Sequence, residues 1–323
     1  MSEGQERGCG LNLNFMAILN GIISKISGSA GNLSFSRTGG QTVIRERVTH
    51  ITNPRTDAQM QTRTKFTNIV SMYRGIRPLL RHGFETRPKN LSDYNMFVKI
   101  NMQKTPVYLT KQAVVGGACV AAPYQITQGS LPAIVISGTG NGAVTDIHLG
   151  VTSITNATTV AQFAKAVVDN NPDYEYGDQI SFFKVEQKVN AETSIPYCQF
   201  SAWKVVLDAS DTETKLWDIV AREGFSTSDA CLAHSNANFV GAFGWVHSRK
   251  SNGKTLVSSQ SLVAVNDTLL AEHQGDLAYN LAKSSYGSSI DAFLVPDGDV
   301  STSTSGGGDN GGGGNGGGGN DTL

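Results

Sequence analysis

With 323 residues, 39% of them hydrophobic, the chain is long enough to bury a substantial core, which excludes wholesale disorder. Its four cysteines, Cys9, Cys119, Cys198 and Cys231, have no paired spacing, which argues against a disulfide scaffold or a zinc ribbon, and no apolar run reaches membrane-spanning length. The net charge of −1 hides a segregation: residues 16–111 carry fifteen cations against four acids, whereas residues 112–323 carry ten against 21. Halves of +11 and −11 suit a polyanionic partner, an acidic protein surface, or contact between unlike halves of neighbouring copies.

Residues 1–15 are polar and aperiodic and read as a disordered leader, with Met16 a better start than Met1. From Asn20 to Val48 the pattern is short and β-like. Leu33 and Phe35 alternate with Ser34 and Ser36, Gly39-Gly40 suits a tight hairpin turn, and Arg45 and Arg47 share one face of the second arm. Asn53-Pro54 then reads as cap and first residue of a helix. Its first half is polar, and Phe66, Ile69, Val70 and Tyr73 form the buried stripe of its second half. A short helix over Ile76–Phe84, and another over Leu91–Met102 capped by Ser92 or Asp93, complete a small helical cluster.

After Lys111 the composition shifts to Ala, Val, Gly and Thr. Strands are expected at Ala133–Ile136, at Ala143–Val151, over Gln179–Glu186 and over Pro196–Leu207. Two more, Phe239–Ser248 and Thr255–Val265, are joined through Ser251-Asn252-Gly253. Thr159 with Gln162, and Ser210 with Glu213, have capping-box spacing before helices. A helix over Thr268–Ser285 and a strand over Ala292–Val295 close the folded part, before a Gly-rich tail. The expected architecture is α+β: a hairpin and helical cluster, then a β-rich domain of antiparallel strands with interspersed helices. The expected divisions are a leader 1–15, a basic module 16–111, an acidic domain 112–300 and a disordered tail 301–323.

Catalytic and cofactor signatures are weak. Gly138-Thr139-Gly140-Asn141-Gly142-Ala143 fits a dinucleotide fingerprint in spacing, but strand rather than helix follows, so it reads as a turn. Cys231 and His234 supply two metal ligands where zinc needs at least three from protein. Asp173, Glu175 and Asp178 around Gly177 read as a solvated acidic turn. No nucleophile elbow, phosphate loop or zinc-protease motif is present. The reading is therefore of a protein that is not an enzyme, with no catalytic residue, no cofactor and no metal. The strongest signal is basic: Arg45 and Arg47 on the hairpin, with Arg55, Gln59 and Arg63 at intervals of four on one helix face. These side chains suit either docking on an acidic protein, including a second copy, or sequence-neutral contact with nucleic-acid phosphates.

Asn20-Gly21, Lys25, Ser27-Gly28, Gly31-Asn32-Leu33, the Arg45/Arg47 strand and Asn53-Pro54-Arg55-Thr56 form a signature, continued by Ala58-Gln59, Lys65-Phe66, Arg81, Gly83-Phe84 and Tyr94-Asn95. Over residues 16–105 the chain resembles a family of uncharacterised proteins from Bacteroidota genomes and from phage-like or mobile elements in those hosts. Members commonly have Pro where this chain has Asp57, and beyond Lys111 they carry a β-rich domain and often a Gly-rich tail. The resemblance supplies no catalytic residue, cofactor or substrate. Its gene settings imply a structural, virion-associated or surface-assembly role, while the scattered cysteines and the lack of an apolar span point to synthesis in a bacterial cytoplasm without membrane insertion, and the charge pattern to a protein partner or self-assembly ahead of nucleic acid.

Overall fold

The computed structural model describes residues 16–19, 27–38, 41–47, 56–88, 91–138, 142–236 and 238–287. The leader, the Gly-rich tail, the Gly39-Gly40 turn, Asn53-Pro54 and the Ala292–Val295 segment lie outside these residues. The chain forms two compact units, one of residues 1–54 with 88–90, the other of residues 55–87 with 91–323. The division falls at Pro54, not at the change of composition near Lys111.

The first unit is an antiparallel sheet of β1 (Met16–Leu19), β2 (Gly28–Ala30), β3 (Leu33–Thr38) and β4 (Gln41–Glu46), in the order β1-β4-β3-β2. The pairing of Thr38 with Gln41 brackets the expected two-residue turn. Among the side chains described in this sheet only Thr42 is buried.

The second unit opens with α1 (Asp57–Ile76), capped by Thr56, whose hydroxyl accepts from the Gln59 N–H at 3.4 Å. The expected start at Pro54 is thus too early; Thr56 with Gln59 supplies the cap. The buried stripe also starts earlier than its apolar spacing suggests, running through Met60, Thr64, Asn68, Ile69, Met72 and Ile76, while Phe66 stays exposed. Polar members are accommodated because their hydrogen bonds are made. Thr64 donates to the Met60 carbonyl at 2.7 Å, and the Asn68 amide exchanges bonds of 2.9 and 2.8 Å with the Val120 backbone.

The expected helix over Ile76–Phe84 does not form. Instead, the Gln128 N–H donates to the Gly83 carbonyl and the Glu85 N–H to the Gln128 carbonyl, drawing Phe84 into a bridge with Gln128. The next helices are α2 (Asp93–Asn101), capped by Ser92 as expected, and α3 (Lys111–Val115). Strands β5 (Gln125–Thr127), β6 (Ile136–Ser137) and β7 (Val144–His148) precede α4 (Val160–Asn170), where Thr159 and Gln162 make the full capping box.

Long strands β8 (Gln179–Val189) and β9 (Pro196–Val206) follow, then α5 (Leu216–Ile219), a 3₁₀ turn at Arg222–Gly224, β10 (Ser226–Ser228) and β11 (Cys231–Ala233). The Ser210–Glu213 cap is not used: the Ser210 hydroxyl donates to Asp208 at 2.6 Å, and α5 begins six residues later without a side-chain cap. β12 (Gly241–Ser251) turns through Asn252 and Gly253, both at positive φ, into β13 (Lys254–Val257), matching the expected hairpin. The remaining expected strand is broken into β14 (Gln260–Ser261) and β15 (Val263–Val265). The last helix is split into α6 (Thr268–Glu272) and α7 (Gly275–Ser285) at Gly275, whose φ is +77°.

At the centre lies a sheet ordered β13-β12-β8-β9, with β15 also paired to β12. Its two-residue alternation feeds two cores. Phe183, Val185, Ala242, Val246 and Val257 pack with Ile69, Met72 and Ile76 of α1 and Phe97 of α2. Ile180, Phe182, Val205, Phe243 and Trp245 pack with Phe163 and Val167 of α4 and Ile147 of β7. Helices α1 and α2 therefore belong to the same unit as the β-rich part, whatever their surface charge. The fold is α+β, as the sequence pattern implies.

Candidate functional site

The five basic-face residues fall into separate groups. Arg45 and Arg47 are exposed in the first unit, where Arg45 donates from Nη2 to Ser36 Oγ at 3.0 Å. Gln59 and Arg63 lie on α1 of the second unit; Gln59 is exposed, and Arg63 is half-buried with its guanidinium 6.0 Å from the Tyr286 ring centroid. Arg55 lies outside the described residues.

A different set of cations converges in the second unit. Strand pairing places Gln179, Ser181 and Phe183 of β8 beside Val206, Lys204 and Ala202 of β9, and Val246 and Ser248 of β12 beside Ser181 and Gln179. These residues form one face of the central sheet. Toward Phe183 that face is apolar and covered by α1, which approaches β9 closely at Gly75: a Cβ there would lie 2.1 Å from the Phe200 ring. Toward Gln179 it is polar and uncovered, because α1 ends at Ile76 and the chain turns through Pro78.

The result is a groove of about 570 Å³, a volume typical of ligand sites. Pro78–Arg81 form one wall, and the strand residues, with Lys250 and Thr255, form the floor and rim. Among the described residues Arg81, Lys204, Arg249 and Lys250 line it, and no acid does. Arg249 is occupied, whereas Arg81, Lys204 and Lys250 have no hydrogen-bond or ion-pair partner among the described residues. Leu79 and Val206, 38% and 45% exposed, give the groove an apolar side. Beside it β9 is an edge strand, paired among the described residues only with β8. A strand edge beside cations without described partners has the chemistry that β-strand addition and acidic-segment recognition use.

Arg249 is held from the other side by the acidic cluster around Gly177, in which Asp173, Glu175 and Gly177 are exposed, as expected of a solvated turn, and Asp178 alone of the acids is buried. Asp178 is 1% exposed. It accepts from Arg249 Nε and Nη2, both at 2.7 Å, and contacts His247 Nε2 at 2.8 Å. Glu175 takes Arg249 Nη1 at 2.9 Å, and Tyr174 stacks on the His247 ring with centroids 4.2 Å apart. Burial opposes ionisation of Asp178, but Arg249, His247 and the Glu175 N–H together outweigh it and hold the carboxyl well below the usual range. The network anchors the strand end that carries Lys250.

Cys231 and His234 do not share a site. Cys231 Sγ faces His148 Nδ1 across the β11–β7 pair at 3.2 Å, and burial, with Asp229 and Asp146, pushes its thiol up. This is the opposite of nucleophile activation. His234 is buried against Phe243, ring centroids 4.1 Å apart, and neither ring nitrogen has a partner. Two other cysteines distant in sequence do meet, Cys198 donating to the Cys119 carbonyl at 3.3 Å; both are free thiols. Among the described residues no group of three or more His, Cys, Asp or Glu side chains could hold a metal ion, and no helix is long and apolar enough to cross a membrane.

Residues 25–168 match one family model, described as a family of unknown function (DUF6266). No curated protein and no solved structure matches the chain. The matched stretch begins before β2 and ends within α4, so it includes the Pro78–Arg81 wall of the groove but not the strands that bear Lys204 and Lys250.

Sequence reasoning missed the groove because it depends on register. Gln179 and Ser181 leading into Phe183, and Lys204 between Ala202 and Val206, are polar breaks on an otherwise core-facing side of their strands. That was the available signal; which strands lie side by side is decided by pairing across the chain.

Proposed function

We propose that the protein is a non-enzymatic structural or assembly protein that docks through basic surfaces on an acidic protein partner, self-association being the simplest case. The observation that carries this reading is the groove, which among the described residues holds three side-chain cations without a partner and no acid, beside a strand edge with no further paired strand. The exposed Arg45 and Arg47 and the half-buried Arg63 add cationic surface, and the acidic balance of residues 112–323 supplies a complementary partner in another copy. The virion or mobile-element setting implied by the sequence resemblance agrees with such a role.

The test is sedimentation velocity of the full chain at rising ionic strength. Association should weaken steeply as the Debye length falls from about 30 Å toward about 3 Å. Lys204→Glu with Lys250→Glu should weaken it at low salt while leaving the unfolding curve unchanged. Association indifferent to both salt and these substitutions would overturn the reading. Duplex DNA retained at low salt, and released by the same substitutions, would favour phosphate binding instead.

A further inference from the structure

Among the described residues the groove has no acidic lining, and the same chain contains a segment of matching character. After Lys283 there is no Lys, Arg or His as far as Leu323, and residues 290–300 set Asp291, Asp297 and Asp299 around the apolar run Phe293-Leu294-Val295. Its carboxylates complement Arg81, Lys204 and Lys250, and its apolar run complements Leu79 and Val206. We propose that residues 290–300 of a second copy occupy the groove, joining copies head to tail. This rests on the assembly role proposed above and names its partner.

The length of chain after α7 reaches the groove in the same copy as well as in a second one. Arg63, in the first half of α1, lies against Tyr286, just beyond the end of α7, whereas the groove begins past Ile76. Thirteen helical residues separate Arg63 from Ile76, about 20 Å at 1.5 Å per residue. From Gly287 to Phe293 is six residues, which span about 20 Å only when fully extended. Residues 294–300 extend beyond Phe293 by about 20 Å more, so the same copy also reaches the groove, and the second copy is chosen because self-association is the role proposed above. A contact between two unlike surfaces of identical chains is heterologous, so it propagates instead of closing at a dimer.

The experiment uses the full chain in three forms: unaltered, with Lys204→Glu and Lys250→Glu, and with Asp291→Lys, Asp297→Lys and Asp299→Lys. The unaltered chain should form a concentration-dependent series of oligomers. Each variant alone should associate at least about tenfold more weakly, a scale set by the loss of close charge pairs. Mixed in equal amounts, the two variants should associate more tightly than either alone, since an intact segment meets an intact groove in one contact and the two reversed charge sets complement each other in the other. If the aspartate variant associates as the unaltered chain does while the lysine variant does not, the occupant is wrong and the assembly role stands. Failure of the mixture to pair, with both variants retaining the unaltered unfolding curve, also overturns the occupant. An unaltered chain that stays monomeric at all concentrations overturns both. Should the lysine reversal disturb folding, Lys204→Ala with Lys250→Ala replaces it, with the same outcomes.

Discussion

Asp178 illustrates how much one buried charge can organise. Its two oxygens bind Arg249 and His247, so strand β12 and the loop before β8 are tied through a single carboxylate. Asp178→Asn keeps the shape but leaves the Arg249 charge without its main partner, and breaking a buried pair in this way costs about 3–5 kcal/mol. Urea denaturation should record a loss of that size; a change below about 1 kcal/mol would mean that water or Glu175 replaces the lost charge. His234 governs a different property. Burial is the main reason its pKa is pushed down to about 4, partly countered by Glu223. The unfolded chain therefore takes up a proton near pH 6.5 that the folded chain refuses until about pH 4. Stability from this residue is complete above about pH 6.5 and declines as pH falls toward 4, by on the order of 3 kcal/mol. Replacing His234 with Phe, to stack on Phe243, should flatten that part of the stability profile; an unchanged slope between pH 6.5 and 4 would assign it to other groups.

At the scale of elements, closeness of approach decides the site. Helix α1 lies against β9 where Gly75 faces Phe200. Gly75→Ala places a methyl inside the Phe200 ring, and relieving that overlap costs about 1–3 kcal/mol. Phe200→Leu in the same chain should recover part of the loss, as measured by a double-mutant cycle; additive effects would separate the two residues. Some elements were legible because their signals are local. Thr159 and Gln162 specify the start of α4, and Asn252-Gly253 specify the β12–β13 turn, within a few residues of chain. Others were not. Thr56-x-x-Gln59 carries a capping pattern that Pro54 obscured, and the helical propensity of residues 76–84 yields to backbone pairing with Gln128, 44 residues beyond Phe84. Asn68 is accommodated in the core because the Val120 backbone lies where its amide can bond, and Thr64 because its hydroxyl bonds the Met60 carbonyl.

For the whole molecule, charge and architecture follow different divisions. The +11 segment ends at Lys111, yet α1 and α2 share a core with β8 and β12, and the compact units divide at Pro54. Charge segregation is a property of solvent-facing positions, whereas the unit is defined by apolar burial, so the two need not coincide. The salt-sensitive association expected here belongs to this scale, since it depends on a groove built from residues 78 to 257. By itself the sequence determined the α+β class, most helices and hairpins, the basic and acidic halves and the weakness of any catalytic or cofactor signature. Each of these follows from local propensity, periodicity or composition. Only the tertiary structure decided that Asp178 is buried within an otherwise exposed acidic turn, that Cys231 faces His148 and not His234, and that Arg81, Lys204 and Lys250 meet. Those outcomes depend on strand register and on where α1 stops along the sheet, and both are fixed by contacts between residues far apart in the chain.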